Sequence, residues 1–547
     1  MSNKNNNNKN IKENKNTQNA EKEVKPTTSA EMIMPGTMAL PPLQGQPQPL
    51  SQPLPQPQGN TGFVVTNVSQ ENRTVSEASL PNLSTMATST VTLSDGSVTT
   101  MTYDPNEVPA LAGEQKGETV HSVVADANGV GRNGTLPQMQ YNPGMLTQST
   151  PVEGLAFDYN DGLRVQIPVG NYHLKMVDRD DNLVIFDANV SGITIVSTKK
   201  YFRRIDFEVQ RDGETVFTHE YNAEGKKVRL RYATGLVLGD TFAWFPYAEE
   251  FRKKHGCEVY VTINQKMVEI LQPGYPDIHF IPLTEDEERT NVQPEGMPGD
   301  FYATYILGVF FPCDDRDHQP VDFRVMGLHR NAALILGLNE WEEHPPRLLP
   351  SDKEVAERTI KEPYVCIAAN GSSQAKHWNN ARGWIEVVAY LKKKGYRVLC
   401  IDKENTHQVG SYCNTIPFGC EDFTGDRPLQ ERIDLLYHAD FFIGVSSGLS
   451  WMAWGVGKPV ILISGFTLPV NEFKNPYRVI SYQGCNGCWD DTRITFNHTD
   501  GEWCPRHKNT ERQFECSRNI TPEKVCGVID QVMQDKGFSP KGDVANG

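Results

Sequence analysis

Apolar positions are unevenly spread along the 547 residues. Through the first 150 they stand isolated among Asn, Gln, Pro, Ser and Thr, with LPPLQGQPQPLSQPLPQPQGN at the centre. That composition cannot bury enough apolar surface to offset chain entropy, which predicts a disordered low-complexity extension over 1–150, a tether or partner-binding tail. From Leu163 the pattern switches to short alternating runs: LRVQIPV, YHLKMVD, LVIFDA, ITIVST, IDFEVQ, ETVFTHEY and KVRLRYA. In the last, Val228, Leu230 and Tyr232 share one face and Lys227, Arg229 and Arg231 the other, the period of a strand. RDDN, RDG and AEGK supply turn chemistry between runs. The runs predict a small antiparallel barrel or sandwich, taken as an N-terminal β-barrel over 155–233.

After Thr234 strands begin to alternate with helices. TGLVLGDTFAWFPYAEEFRKKHGCEVYVTI reads as strand, Gly-containing turn, helix and strand, opening a lobe over 234–350. Residues 300–327 read as a β-hairpin thumb with its tip at CDDRDHQP. A second block, 360–480, starts with a strand at YVCIAA. Its helix WIEVVAYLKKKG places Trp384, Val387, Val388 and Leu391 on one face and ends at Gly395. RVLCI, LQERIDLLYHA, DFFIGV, a short helix and PVILIS follow. Strand–helix alternation implies parallel, doubly wound sheets. Two such blocks, joined by EEHPPRLLPSDKE, predict an α/β protein with two Rossmann-like lobes facing a cleft, the GT-B type.

Composition narrows the class. Lys and Arg total 53 against 68 Asp and Glu, a net charge of −15, which argues against a nucleic-acid binder. No run of 18 apolar residues predicts a membrane span. The start MSNKNNNNKNIKENKN lacks the apolar stretch of a secretory signal, so a cytoplasmic, reducing location is expected. There the eleven cysteines are expected as free thiols or metal ligands.

Four places carry candidate chemistry. Asp240, beyond a strand and before a helix, either points into the cleft as a catalytic carboxylate or caps a helix starting near Thr241. Thr241 joins the donor-binding candidates. Ser372, Ser373 and Lys376 in NGSSQAKHW suit a diphosphate, with amides and hydroxyls donating and Lys376 supplying compact charge. Ser446, Ser447 and Gly448 close a strand before a helix whose N-terminus favours anions, whereas Trp451 and Trp454 read as packing. Asp402 is a candidate for a ribose hydroxyl, and Asp426 lies in a comparable loop. Finally, over 481–530, Cys485, Cys488, Cys504 and Cys516 form a knuckle plus two further thiols, the set for a tetrahedral zinc or iron finger. Cys526 competes as fourth ligand, and His498 or His507 are possible substitutes.

GLVLGDTFAWFPYAEEFRKKHG, NGSSQAKHWNNARGW, GVSSGLSWMAWGVGKPV and CNGCWDD…WCPRHKN…QFEC together resemble bacterial autotransporter O-heptosyltransferases, over about 155–535. The resemblance implies a β-barrel, a GT-B core, a hairpin thumb and a four-cysteine finger holding one ferric ion per chain. It implies ADP-D-glycero-β-D-manno-heptose as donor, serines of an autotransporter adhesin passenger as acceptors, and a homo-oligomer, a dodecamer. It places Asp240 as the catalytic acidic residue and Ser372, Ser373 and Lys376 on the diphosphate. Related lipopolysaccharide heptosyltransferases carry Asp-Thr-Gly where this chain has Ser446-Ser447-Gly448, and His where it has Trp451, so nucleotide contacts there do not transfer directly. The alternatives are a lipopolysaccharide-type heptosyltransferase and an inactive metal-stapled scaffold that binds autotransporters.

Overall fold

The alternating runs do form strands, and hydrogen bonding sorts all of them but KVRLRYA into two sheets. The structure, a computed structural model, describes residues 144–232, 237–284, 287, 297–409, 412–497 and 500–539, with strands at Val64–Thr66, Ala87–Thr92 and Val98–Tyr103. One antiparallel sheet orders Val64–Thr66, Ile193–Val196, Arg164–Ile167, Ala156–Asp158 and Gln148–Ser149. The other orders Glu214–His219, Ile205–Arg211, Tyr172–Asp178 and Leu183–Val190. Val165, Ile167, Leu174, Met176, Phe207 and Val209 fill one shared core. Among the described residues no strand pair joins the sheets, so the sandwich alternative holds and the expected barrel does not. Asn182, Asp212 and Gly213 take the left-handed backbone that RDDN and RDG predicted for the turns.

The expected extension 1–150 falls mostly outside the described residues. Its last residues are anchored: the Thr147 hydroxyl donates to the Phe301 carbonyl at 2.6 Å, and Gln148–Ser149 pairs with Ala156–Phe157. The three strands before residue 104 are β-branched stretches, VVT, ATSTVT and VTTMTY, whose local strand preference the Pro- and Gln-rich surroundings outweighed in the sequence reading.

The first lobe holds a parallel sheet of β1 (Lys227–Tyr232), β2 (Glu258–Asn264), β3 (His279–Leu283) and β4 (Ala303–Leu307), in the order β3-β2-β1-β4. Leu230 stands opposite Val261 on one side and Tyr305 on the other. This corrects two expectations. KVRLRYA is the first strand of the lobe and not the last of the β-rich region. Covered on both faces, β1 buries Val228, Arg229 and Leu230 in succession, and the Arg229 guanidinium donates to the Thr262 hydroxyl at 2.8 Å. There is no hairpin thumb at 300–327. ATYIL is a buried parallel strand, and CDDRDHQP is a turn-rich loop in which the Asp315 carboxylate accepts the backbone N–H groups of Asp317 and His318.

Helix α1 (Leu238–Trp244) runs into α2 (Pro246–His255), with Pro246 at the first position of α2 and left-handed Gly256 closing it. Helices α3 (Gln265–Leu271) and α4 (Leu328–Ile335) complete the elements used below.

The second lobe follows the predicted alternation: β5 (Tyr364–Ala368), α5 (Gly383–Lys393), β6 (Arg397–Cys400), β7 (Glu421–Asp422), α6 (Leu429–His438), β8 (Phe442–Val445), α7 (Gly448–Gly455), β9 (Val460–Ile463) and β10 (Arg478–Val479). All strands run parallel in the order β7-β6-β5-β8-β9-β10. Cys366 lies opposite both Leu399 and Phe442. A hairpin does exist, at Thr406–Val409 and Tyr412–Thr415, where little apolar alternation announces it. Helix α8 (Pro522–Lys536), capped by Thr521, packs Val525, Ile529 and Val532 onto this sheet.

Candidate active site and metal finger

Both sheets reverse their strand order beside the first strand: between β1 and β4 in one lobe, between β5 and β8 in the other. Ligands of doubly wound sheets sit beyond the carboxyl ends of the strands at such points. Asp240 follows β1, Lys376 follows β5, and Ser446-Ser447-Gly448 follows β8. The lobes meet there. A Cβ on Gly448 would stand 2.6 Å from the Leu238 Cβ and 2.9 Å from the Gly239 nitrogen, so glycine lets the starts of α1 and α7 touch.

Asp240 is not a cap. Helix α1 begins at Leu238 after Val237, and Asp240 lies in its first turn with no hydrogen-bond or ion-pair partner among the described residues. Burial pushes its carboxyl up to about 6, against the pull of Lys376. Burial also lowers the Lys376 ammonium, opposed by Asp240 and Glu472. Each of the two groups thus senses the other across the lobes, yet no direct ion pair forms between them.

Around them, the buried Ser373 and half-buried Ser447 each present a hydroxyl oxygen that is closed off and lacks a hydrogen-bond partner in the protein. Ser372 is exposed, and Thr241 is buried in α1. The Ser446 hydroxyl instead turns inward and donates to Glu472 at 2.6 Å. Asp402 does not face the cleft: its carboxylate accepts the backbone N–H of Ala369 at 2.8 Å and of Asn370 at 3.3 Å, bracing the loop after β5. A carboxylate so engaged has little left for a ribose hydroxyl. Asp426 is exposed in the loop before α6. Trp451 and Trp454 pack on Phe473, as read from the sequence.

Glu472 was missed. It is 2% exposed, and its carboxylate accepts from Ser446, Thr467 and Arg478. Its signal was a lone acid in GFTLPVNEFKNPY, just past a strand of the same sheet edge.

Of the candidate finger ligands, Cys485 and Cys488 share one segment, while Cys504 and Cys516 stand on two others. Left-handed Gly487 turns the Cys485–Cys488 knuckle, and Cys516 senses Cys485, Cys488 and Cys504 as neighbours. Cys526 sits on α8 near Asp530, Glu523 and Glu386, whereas Cys516 senses the other three candidate thiols. His498 lies outside the described residues. His507 remains close: its ring nitrogen, the Cys485 sulfur and a Glu515 oxygen lie within 4.8 Å of one another. Glu515, however, accepts two bonds from Arg512, at 2.8 and 2.6 Å, and the Cys485 backbone N–H at 2.9 Å. It is therefore neutralised outside the sulfur set. The soft donors fit zinc or iron, and Phe466, Trp503 and Phe514 pack with Cys488 and Cys504 as a local core.

Residues 151–213 match the N-terminal domain of glycosyltransferase TibC, and residues 324–484 match glycosyltransferase family 9 (heptosyltransferase). Over 392 residues the chain is 48% identical to the autotransporter heptosyltransferase BAHTCr of Citrobacter rodentium, covering 71% of this chain and 91% of that protein. The chain belongs to the autotransporter heptosyltransferases. It is a family 9 glycosyltransferase, similar also to BimC of Burkholderia thailandensis, named an inactive autotransporter heptosyltransferase, at 37% identity over 73% of this chain and 91% of that one. The crystal structure of TibC from enterotoxigenic Escherichia coli, described as iron-containing and dodecameric, superposes with a TM-score of 0.67 at 45% identity, covering 72% of this chain and all of TibC. TibC has also been solved in complex with ADP-D-beta-D-heptose, and that structure superposes with a TM-score of 0.66.

Proposed function

We propose that this heptosyltransferase moves heptose from ADP-D-glycero-β-D-manno-heptose to serine hydroxyls of an autotransporter adhesin passenger, inverting the anomeric carbon. The observation that carries the reading is Asp240 facing Lys376 across the two lobes, at the carboxyl ends of β1 and β5. A carboxylate held near 6 is matched to receive a hydroxyl proton close to neutral pH. As the serine oxygen attacks, the bond from anomeric carbon to diphosphate oxygen breaks, ADP departs, and the serine proton passes to Asp240. Lys376 and the amides opening α7 receive the charge that builds on ADP. The unpartnered hydroxyls of Ser373 and Ser447 offer hydrogen bonds to diphosphate oxygens. Ser372 stands exposed in the loop after β5, Thr241 lies in α1 beside Asp240, and Gly448 lets α1 and α7 meet over the site.

In this reading Cys485, Cys488, Cys504 and Cys516 hold one ferric ion per chain. The naming of TibC as iron-containing supports iron over zinc. Four thiolates leave no open coordination position, so the ion stabilises the fold and takes no part in transfer. TibC's dodecamer supports a homo-oligomer of the same order here. The eleven free cysteines suit a reducing, cytoplasmic location, and among the described residues no helix is long and apolar enough to cross a membrane.

The relative named inactive gives the rival reading a definite form, a scaffold that binds the passenger without modifying it. Intact-mass analysis of a co-expressed passenger separates the two. Mass additions of one heptose each are expected; an unmodified passenger retained on the protein would overturn the assignment.

A further inference from the structure

The knuckle of the finger is joined to the loop after β8 by an unbroken set of hydrogen bonds. The Gly487 N–H donates to the Gly465 carbonyl at 2.8 Å, and the Trp489 N–H to the Phe466 carbonyl at 3.2 Å, fixing the knuckle on the chain just past β9. The Trp489 indole N–H then donates to the Asn471 side-chain carbonyl at 3.1 Å. The Asn471 amide reaches the Glu472 carboxylate at 3.4 Å, and the Ser446 hydroxyl donates to that same oxygen at 2.6 Å. Asn471 and Glu472 are 7% and 2% exposed, so water does not compete for these bonds. Asn471 also accepts the Leu328 N–H of the other lobe, at 3.0 Å, through its backbone carbonyl.

We infer that Trp489, Asn471 and Glu472 are positioning residues that carry the finger's fixed geometry to the donor loop Ser446–Gly448. Resting on the donor site proposed above, this gives the finger a second task besides holding its own segment together. An indole N–H fixed beside Cys488 orients the Asn471 amide. The amide shares one Glu472 oxygen with Ser446 and Thr467, so the amide contributes to where that oxygen sits. Ser446 follows it, and with Ser446 go the amides of Ser447 and Gly448 that open α7.

The test is Trp489→Phe in the full chain, which keeps an aromatic ring against Phe323 and Phe466 and removes the N–H together with one ring of the indole. The readouts are ADP affinity by calorimetry, bound iron by elemental analysis, and the melting temperature. The expected result is a Kd for ADP raised roughly fivefold, the weight of one neutral hydrogen bond, with iron content unchanged. Ser446→Ala should weaken ADP by a similar factor. The double variant should lose little more than either single one, because both act through Glu472. An unchanged Kd in Trp489→Phe with iron still bound would overturn the inference, as would fully additive losses. Should the wild-type protein not bind ADP at all, the donor assignment itself fails, a different outcome from a failed relay.

Discussion

Asp240→Asn should make the protein more stable and inactive at the same time, with a pH signature of its own. The carboxyl is held at about 6 in the folded chain against an ordinary 3.8, so folding disfavours its ionised form. That difference corresponds to about 3 kcal/mol if the site were fully dry. Asp240 is open to the cleft on one side, and solvent screening there reduces the figure to about 1–2 kcal/mol. The pull of Lys376 is already contained in the value near 6, so losing it does not reverse the sign. The cost is absent below about 3.8, grows as pH rises, and is complete above about 6. Melting curves of ligand-free wild type and Asp240→Asn should therefore coincide near the low end of that window and diverge above it. Asn is expected to be more stable by a few degrees at about pH 8. In parallel, wild-type kcat/KM for transfer should fall about tenfold per pH unit below about 6, as the base takes up a proton. A stability difference that does not vary with pH would refute the burial argument. Near wild-type transfer by Asp240→Asn would refute the catalytic role.

Three further substitutions follow from packing and from the candidate thiols. Gly448→Ala should push α1 and α7 apart, because the added methyl meets the Leu238 Cβ at 2.6 Å; transfer should drop at least tenfold while the circular dichroism spectrum is retained. Cys516→Ser should lose the bound metal and its thiolate absorption band, whereas Cys526→Ser should keep both, since Cys526 stands away from the other thiols.

Legibility in the sequence followed how local each signal was. The alternating runs and their turns were readable because a half-buried strand writes its face into every second residue. KVRLRYA shows the limit. Its alternation is perfect, yet the central strand of a parallel sheet buries both faces, and Arg229 is accommodated with the Thr262 hydroxyl of β2 beside it. ATYIL failed similarly, since an apolar run alone does not reveal whether its partner is a hairpin mate or a distant parallel strand. TGLVLG looked like a strand, but its last residues Leu238 and Gly239 open α1, which makes Asp240 a first-turn residue and not a cap. The cysteine spacing suggests a finger without any fold, whereas what separates Cys516 from Cys526 is the path of α8, which no local spacing reveals. Glu472 carried almost no signal, because its partners are separated from it by up to 26 residues.

That long-range wiring explains how an acidic protein can grip an anionic donor. A net charge of −15 repels a nucleoside diphosphate at long range. Local sources must overcome it, and the site offers Lys376, the amides at the start of α7, and two hydroxyls without other partners. None of these is strong in water. Held in a cleft closed by the Gly239–Gly448 contact, they act at low dielectric, where a fixed dipole or a single ammonium counts for more. Fixity is then the limiting quantity, because a hydroxyl free to turn away gives back what burial gained. Glu472 supplies it by taking Ser446, Thr467 and Arg478 at once, its charge balanced by Arg478 so that little of its field is left to repel the donor. The placement of the metal finger beside this carboxylate follows the same logic. The candidate finger segment lies against the loop that most needs to be held still, and a metal held by its cysteines would add to the rigidity that Phe466, Trp503 and Phe514 already provide.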